Sequence, residues 1–225
     1  MLYYPRPVLS PEQSVRLDEA KKLQQELRSQ VRLENDFGEL RTIAGVDVSH
    51  THDDISHAAI VLMDAHSLQQ IGSARVSAPT DFPYVPGFLS FREIPVILQA
   101  LEKLPQWPDM LMVDGQGVAH PRRLGIAAHL GVITRMPAIG VAKSRLTGKH
   151  ESVGEEKFSQ ADLTDKGEKI GTVLRSKENC LPLFISPGHR IDHDTAVALT
   201  LMCLTRYRLP EPTRLADRLS KEKQQ

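Results

Sequence analysis

At Met110-Leu-Met-Val-Asp-Gly-Gln-Gly-Val-Ala-His-Pro-Arg-Arg-Leu-Gly-Ile-Ala-Ala-His129 an apolar run ends in a carboxylate and passes straight into a Gly-rich, basic turn. In open α/β sheets the carboxyl ends of strands face the ligand crevice, and the loops that follow approach a substrate closely. Asp114 stands at such an end. Gly115 and Gly117 let the backbone come near a phosphate or a base, while His120, Arg122 and Arg123 supply donors and charge. Taken alone, the string fits equally well a surface turn whose Asp caps the next helix.

A second acid, Asp47, sits inside Ile43-Ala-Gly-Val-Asp-Val-Ser49, where strand alternation sets it on the face opposite Val46 and Val48. If that face is covered, an ionised carboxylate there must be paired or bound to a metal, because leaving it bare costs several kcal/mol. Glu93, in Phe91-Arg-Glu-Ile-Pro95, is a third acid, although a Glu in a first helical turn also gains from the helix dipole. Acids converging from different elements suit a hard cation such as Mg²⁺, which activates water and stabilises charge on a phosphoryl oxygen. The chain holds no Walker glycine loop, no Gly-x-Ser-x-Gly and no His-Glu-x-x-His. Carboxylate-metal chemistry is what survives.

Several elements must position these residues. Residues 9 to 34 carry helical spacing (Val15, Leu17, Ala20, Leu23, Leu27, Val31) after a capping pattern at Ser10-Pro11. Strands are expected over 42–48, 58–63 and 70–76 as an antiparallel meander. A Pro-bracketed loop, Phe82-Pro-Tyr-Val-Pro-Gly87, precedes a helix starting near Arg92, with Pro95 in its first turn or at a kink. Strand 110–113, helix 124–131 and strand 137–141 then form β-loop-α units, which imply parallel strands. The polar stretch 147–169 reads as a surface excursion, followed by strands over 169–174 and 181–186 and a closing helix over 194–207.

The 225 residues suit one α/β domain, with two small domains as the alternative. With 28 basic and 28 acidic residues the chain lacks the overall positive charge of many nucleic-acid binders, yet basic residues gather at Arg122/Arg123, at Lys143/Arg145/Lys149 and from Arg206 to Lys223. Cys180 and Cys203 have no metal or disulfide spacing and are expected to be inert core thiols. No secretory signal or bilayer-length apolar run is evident, so a cytoplasmic protein is expected. His50, His52 and His57 do not have the spacing of a closed zinc site and are read as loop surface; His189 is read as a structural turn that holds the last helix.

Seven segments in order resemble the endonuclease V family: Gly45-Val-Asp-Val-Ser49, Phe82-Pro-Tyr-Val-Pro-Gly87, Phe91-Arg-Glu93, Val113-Asp-Gly-Gln-Gly-Val-Ala-His-Pro-Arg122, Ile139-Gly-Val-Ala-Lys-Ser-Arg145, Ser186-Pro-Gly-His189 and Pro210-Glu-Pro-Thr-Arg-Leu-Ala-Asp217. The resemblance implies an α/β, RNase H-like mixed sheet, an antiparallel meander followed by parallel strands, flanked by helices. It implies a single catalytic domain over residues 1–225. The implied activity is Mg²⁺-dependent DNA repair, with Mn²⁺ as a substitute: recognition of deoxyinosine and hydrolysis of the second phosphodiester bond on its 3′ side, leaving 3′-hydroxyl and 5′-phosphate ends. Asp47 and Asp114 would ligate the metal, Glu93 and Asp217 would complete the catalytic acids, and Lys143 would sit near the cleaved phosphate. Tyr84, with Pro83, belongs to a wedge that fills the space left by a flipped base; Gly87, Leu89, Gly115, His120, Ile126, Ala142 and Leu146 would line the base pocket. The partner is inosine-containing DNA bound by a monomer, with inosine-containing RNA left open. A branch- or flap-cutting nuclease of the same fold is the alternative.

Overall fold

The computed structural model describes residues 11–222, in which eight strands form one sheet ordered β3-β2-β1-β4-β5-β8-β7-β6. β1 (Thr42–His50), β2 (Ile55–Asp64) and β3 (Gln70–Pro79) make the expected antiparallel meander. β4 (Met110–Val113) joins β1 in parallel, and β5 (Ala138–Ala142) joins β4 in parallel. Antiparallel strands β8 (Leu183–His189), β7 (Glu168–Leu174) and β6 (Gln160–Asp165) complete the sheet.

Alternation along the central strands feeds two cores. Ala44, Val46, Leu111 and Val113 point to α2 (Leu89–Leu101) and α3 (Ile126–Thr134), packing with Ile94, Ile97 and Leu130. Ile43, Met110, Met112 and Ile139 point the other way, with Val197 of α4 (His193–Met202). α5 (Glu211–Ser220) lies on this second side through Ala216, Leu215 and Leu219 against Val61 and Met63. Gly45 is required here: a Cβ at that position would overlap the Pro212 carbonyl, so α5 could not approach β1.

Five expectations are corrected. The helix over 9–34 is α1 (Pro11–Arg28), because the chain beyond Arg28 leaves the helix to pair with the end of β8, with Arg190 N donating to the Arg32 carbonyl and Asp36 N to that of Arg190. Its capping pattern at Ser10 lies outside the described residues. Pro95 is inside α2 instead of in a first turn, since the helix already starts at Leu89. The excursion 147–169 contains β6, an edge strand in which only Leu163 is buried, so the periodic signal is faint. The closing helix stops at Met202, and α5, which sequence periodicity did not reveal, follows a turn fixed by Glu211 N donating to the Cys203 carbonyl. Cys203 is buried, which pushes its thiol up to about 12, whereas Cys180 is only half-buried. Among the described residues no helix is long and apolar enough to cross a membrane.

Candidate active site

Asp47 and Asp114 arise by the same local logic on neighbouring parallel strands. Asp47 follows Ile43 and Gly45 on the α5-facing side of β1, and Asp114 follows Met110 and Met112 on the same side of β4. Its N–H donates to the Val46 carbonyl at 2.9 Å, extending the strand pairing to the acid itself. From the other direction α5 delivers Asp217. One oxygen from each of Asp47, Asp114 and Asp217 lies within 4.8 Å of the others.

Cations and a hydroxyl hold these carboxylates together. Lys143, just past β5, places its Nζ 2.5 Å from both Asp114 Oδ2 and Asp217 Oδ1, and Lys221 reaches Asp217 Oδ1 at 2.7 Å. Ser220, fully buried, donates its hydroxyl to Asp47 Oδ2 at 2.5 Å, while its carbonyl accepts from Ser49 Oγ at 2.7 Å. Burial, with the neighbouring Asp47 charge, raises the Asp114 carboxyl to about 7 despite Lys143. For Lys143, burial opposes the charge, but Asp114 and Asp217 outweigh it and push the ammonium up to about 12. Burial acts against the Asp217 charge too, and there the lysines win and hold the carboxyl low.

Glu93 stands apart from the three aspartates, on α2 at the other side of the sheet. Burial raises its carboxyl, offset in part by His50, whose Nε2 lies 2.8 Å from Glu93 Oε1. His50 Nδ1 is in turn 3.0 Å from Ser56 Oγ. His50, expected as loop surface, belongs to the site because β1 runs on to residue 50 and brings its imidazole to Glu93 of α2. Ser220 gave no signal in the sequence, being one serine 173 positions from its partner.

Oxygen-only donors, three carboxylates converging and a buried Asp114 Oδ2 that, beyond its ion pair with Lys143, has no aligned hydrogen-bond donor among the described residues fit a hard divalent cation. The donor set excludes the soft, thiolate-binding metals.

Beside the acids lies a mainly apolar pocket of about 140 Å³, lined by Tyr84, Gly87, Leu89, His120, Ile126 and Leu146 together with Gln116 and Leu124. Of the other expected lining residues, Gly115 sits behind the wall, where an added Cβ would meet Ile126 Cγ2 at 2.5 Å. Ala142 is packed with Ala119, Phe184 and Leu163. Pro83 is half-buried in the loop next to Tyr84.

The loop is pinned from below. Phe82 stacks on both Phe88 and Phe91 over Leu17 and Ala20 of α1, and Arg92 donates to the Phe82 carbonyl at 2.5 Å. The Gly87 carbonyl accepts from Arg122 at 2.6 Å and from Gln24 at 3.0 Å, with Arg122 lying 4.3 Å over Phe88. Tyr84 and Leu146 are left 56% and 46% exposed, apolar surface that would gain from a partner. Burial pushes the His120 imidazole down to about 4, so it is neutral, and its Nδ1 accepts from Arg122 N at 3.2 Å. His189, expected in a turn that holds the last helix, is instead the last residue of β8 and accepts from Arg32 N at 3.3 Å, tying down the loop after α1.

Comparison with known proteins agrees with this architecture. The family model for endonuclease V matches residues 25–218. Endonuclease V of Azotobacter vinelandii is 54% identical over 202 residues, 89% of this chain and 91% of that one. The crystal structure of endonuclease V from Streptomyces avermitilis superposes with a TM-score of 0.85 at 43% identity, covering 91% of each chain. Ciona intestinalis endonuclease V, in complex with a 23mer DNA containing an inosine followed by a ribo-adenosine, superposes at 0.79 with 27% identity over 95% of this chain and 97% of that one. The fold is RNase H-like. Relatives more than half identical along nearly their whole length, and a family model spanning most of the sheet, place this chain in the endonuclease V family, a family of nucleases.

Proposed function

We propose that this protein is a Mg²⁺-dependent repair endonuclease that recognises deoxyinosine and hydrolyses the second phosphodiester bond on its 3′ side, leaving 3′-hydroxyl and 5′-phosphate ends. One observation carries the reading: the turn after β4 serves both centres, contributing Asp114 to the carboxylate group and Gln116 and His120 to the pocket wall. A base held in the pocket thus has its own strand beside the acids. The inosine-containing DNA bound by the Ciona relative supports hypoxanthine as that base.

In this reading Asp47 and Asp114 hold the cation, Asp217 completes the carboxylate group, and Glu93, beside His50, completes the catalytic acids from α2. Mg²⁺, or Mn²⁺ in its place, supplies Lewis acidity that makes water a nucleophile and stabilises phosphoryl charge. Lys143 stays protonated between Asp114 and Asp217 and offsets negative charge developing on the cleaved phosphate. Tyr84 fills the stack that the extruded base vacates, recovering part of the few kcal/mol that extrusion costs. Hypoxanthine differs from adenine in carrying a 6-oxo group. α3 opens at the pocket with Gly125 at its cap position and no side-chain cap; the Ala127 N–H is taken by the Gln116 carbonyl, which leaves the Ile126 N–H as a donor for that oxygen.

A labelled duplex with one inosine, incubated with the protein and Mg²⁺, is expected to be nicked one nucleotide beyond the lesion, with the adenine duplex left intact. An uncut inosine strand at excess enzyme defeats the proposal, and equal cutting of branched DNA without inosine favours the structure-specific alternative. An RNA strand with inosine in the same series reads the tolerance for the 2′-hydroxyl.

A further inference from the structure

Across β1, β2 and β3 the side chains of Asp47, Ala59 and Arg75 stand in one row on the α5 side of the sheet, and Ser49, His57 and Ser77 stand in the next. α5 stops at Ser220, level with the first row. Past its end the sheet face is open, forming a polar depression of about 530 Å³ lined by Ser49, Thr51, His57, Arg75 and Lys221. Each of these side chains can donate a hydrogen bond, and two are permanent cations. The acid in the lining, Glu222, has Arg218 at 3.5 Å, and Lys221 is shared with Asp217.

Arg75 is the least satisfied of these groups. One terminal nitrogen reaches the Ser220 carbonyl at 3.4 Å, while its Nε is buried and has no acceptor among the described residues. A guanidinium held among hydroxyls, with small Ala59 beside it, favours an anionic oxygen ligand.

The order of the sites gives the ligand its identity. Along the edge of the sheet where β1, β3 and β4 end and antiparallel β2 begins, the apolar pocket stands at β4 and α3, the acids stand on β4 and β1, and the depression spans β1, β2 and β3. A strand that lays one base in the pocket and a phosphodiester at the acids continues over the depression. We infer that the depression is a backbone-phosphate subsite, receiving a phosphate of the nucleic-acid strand on the far side of the cleaved bond, with Arg75 as its principal ligand. This inference rests on the acids being the cleavage centre.

The test is binding of an inosine strand in Ca²⁺, with each phosphate 3′ to the inosine replaced in turn by an uncharged methylphosphonate. In the wild-type protein one replacement beyond the cleaved bond is expected to weaken binding about tenfold, the scale of one charge-assisted hydrogen bond. Arg75→Ala is expected to bind the unmodified strand about as weakly, to be indifferent to that replacement, and to lower the slope of log Kd against log salt by about 1. Arg75→Lys, which keeps the charge, recovers part of the affinity and separates contact from folding. Losses that simply add at every phosphate overturn the subsite. If the wild-type protein binds inosine and adenine strands alike, the base pocket assignment falls, and the same series on the adenine strand still decides the subsite.

Discussion

The carboxylate group and the apolar pocket share one turn yet are held by opposite physics. The pocket is made by stiffness: an aromatic stack beneath the 82–88 loop and a hydrogen-bond network through Gln24, the Arg122 guanidinium and the Gly87 carbonyl set its shape. The acids are made by tension: burial and mutual repulsion raise Asp114 to about 7, and Lys143, Lys221 and the Ser220 hydroxyl oppose that strain. One centre is finished when the chain folds. In the proposed function the other is completed by a cation, which would convert repulsion among oxygens into ligation.

The largest break in this comparison comes from removing an acid. Asp47→Ala or Asp114→Ala is expected to lower the nicking rate at least about a hundredfold, the scale for losing one electrostatic stabiliser of a transition state. Inosine binding in Ca²⁺ should survive, because the pocket does not depend on the carboxylates; loss of both together would show that the two centres are one unit.

The tension also has a pH signature. Folded Asp114 keeps its proton up to about 7, whereas the unfolded chain releases it near 3.8. Between those values the native state binds more protons, so this group's contribution to stability falls as pH rises through the window. In EDTA, Asp114→Asn should therefore be more stable than the parent at pH 8, by on the order of a few kcal/mol, with the gain vanishing as pH falls toward 4. A melting-temperature series that stays flat with pH removes the tension argument.

Legibility from sequence followed the same division. Asp47 and Asp114 could be singled out because strand alternation and a strand end announce them; what the string could not show is that β1 and β4 are adjacent and parallel, which sets the two acids side by side. Asp217 rested on resemblance alone: Leu215, Ala216 and Leu219 have helical spacing, but a short amphipathic helix does not announce that it packs on β1 and β2 and so delivers its Asp to the other two acids. β6 escaped because an edge strand buries one residue in six. Lone polar residues such as His50 and Ser220 carry no periodic signal, and only the assembled fold gives them partners.

Tyr84 tests the pocket side of the comparison. Exposed on a loop whose stack lies beneath it, Tyr84 can be truncated without disturbing Phe82, Phe88 or Phe91. Tyr84→Ala should reduce the preference for inosine over adenine strands about tenfold, within the value of one base-aromatic contact, while Mg²⁺ affinity stays unchanged. A shift in metal affinity would instead couple wedge and acids.

The smallest effect belongs to Ser220, which acts on the cation only through Asp47. Its hydroxyl donates to Asp47 Oδ2 and its carbonyl is fixed by Ser49 Oγ, so α5 and β1 lock the carboxylate in one orientation. Groups that orient a metal ligand commonly change affinity by about 10- to 100-fold when removed. Because Lys143 and two further carboxylates remain, Ser220→Ala is expected at the low end, with Mn²⁺ binding followed directly by titration. Binding of the inosine strand in Ca²⁺ should hardly move, since the pocket is held by Gln24 and Arg122 on the other side of Asp114. Ser220→Thr, keeping the hydroxyl, should restore part of the Mn²⁺ affinity; restoration of thermal stability without metal affinity would assign Ser220 to packing alone.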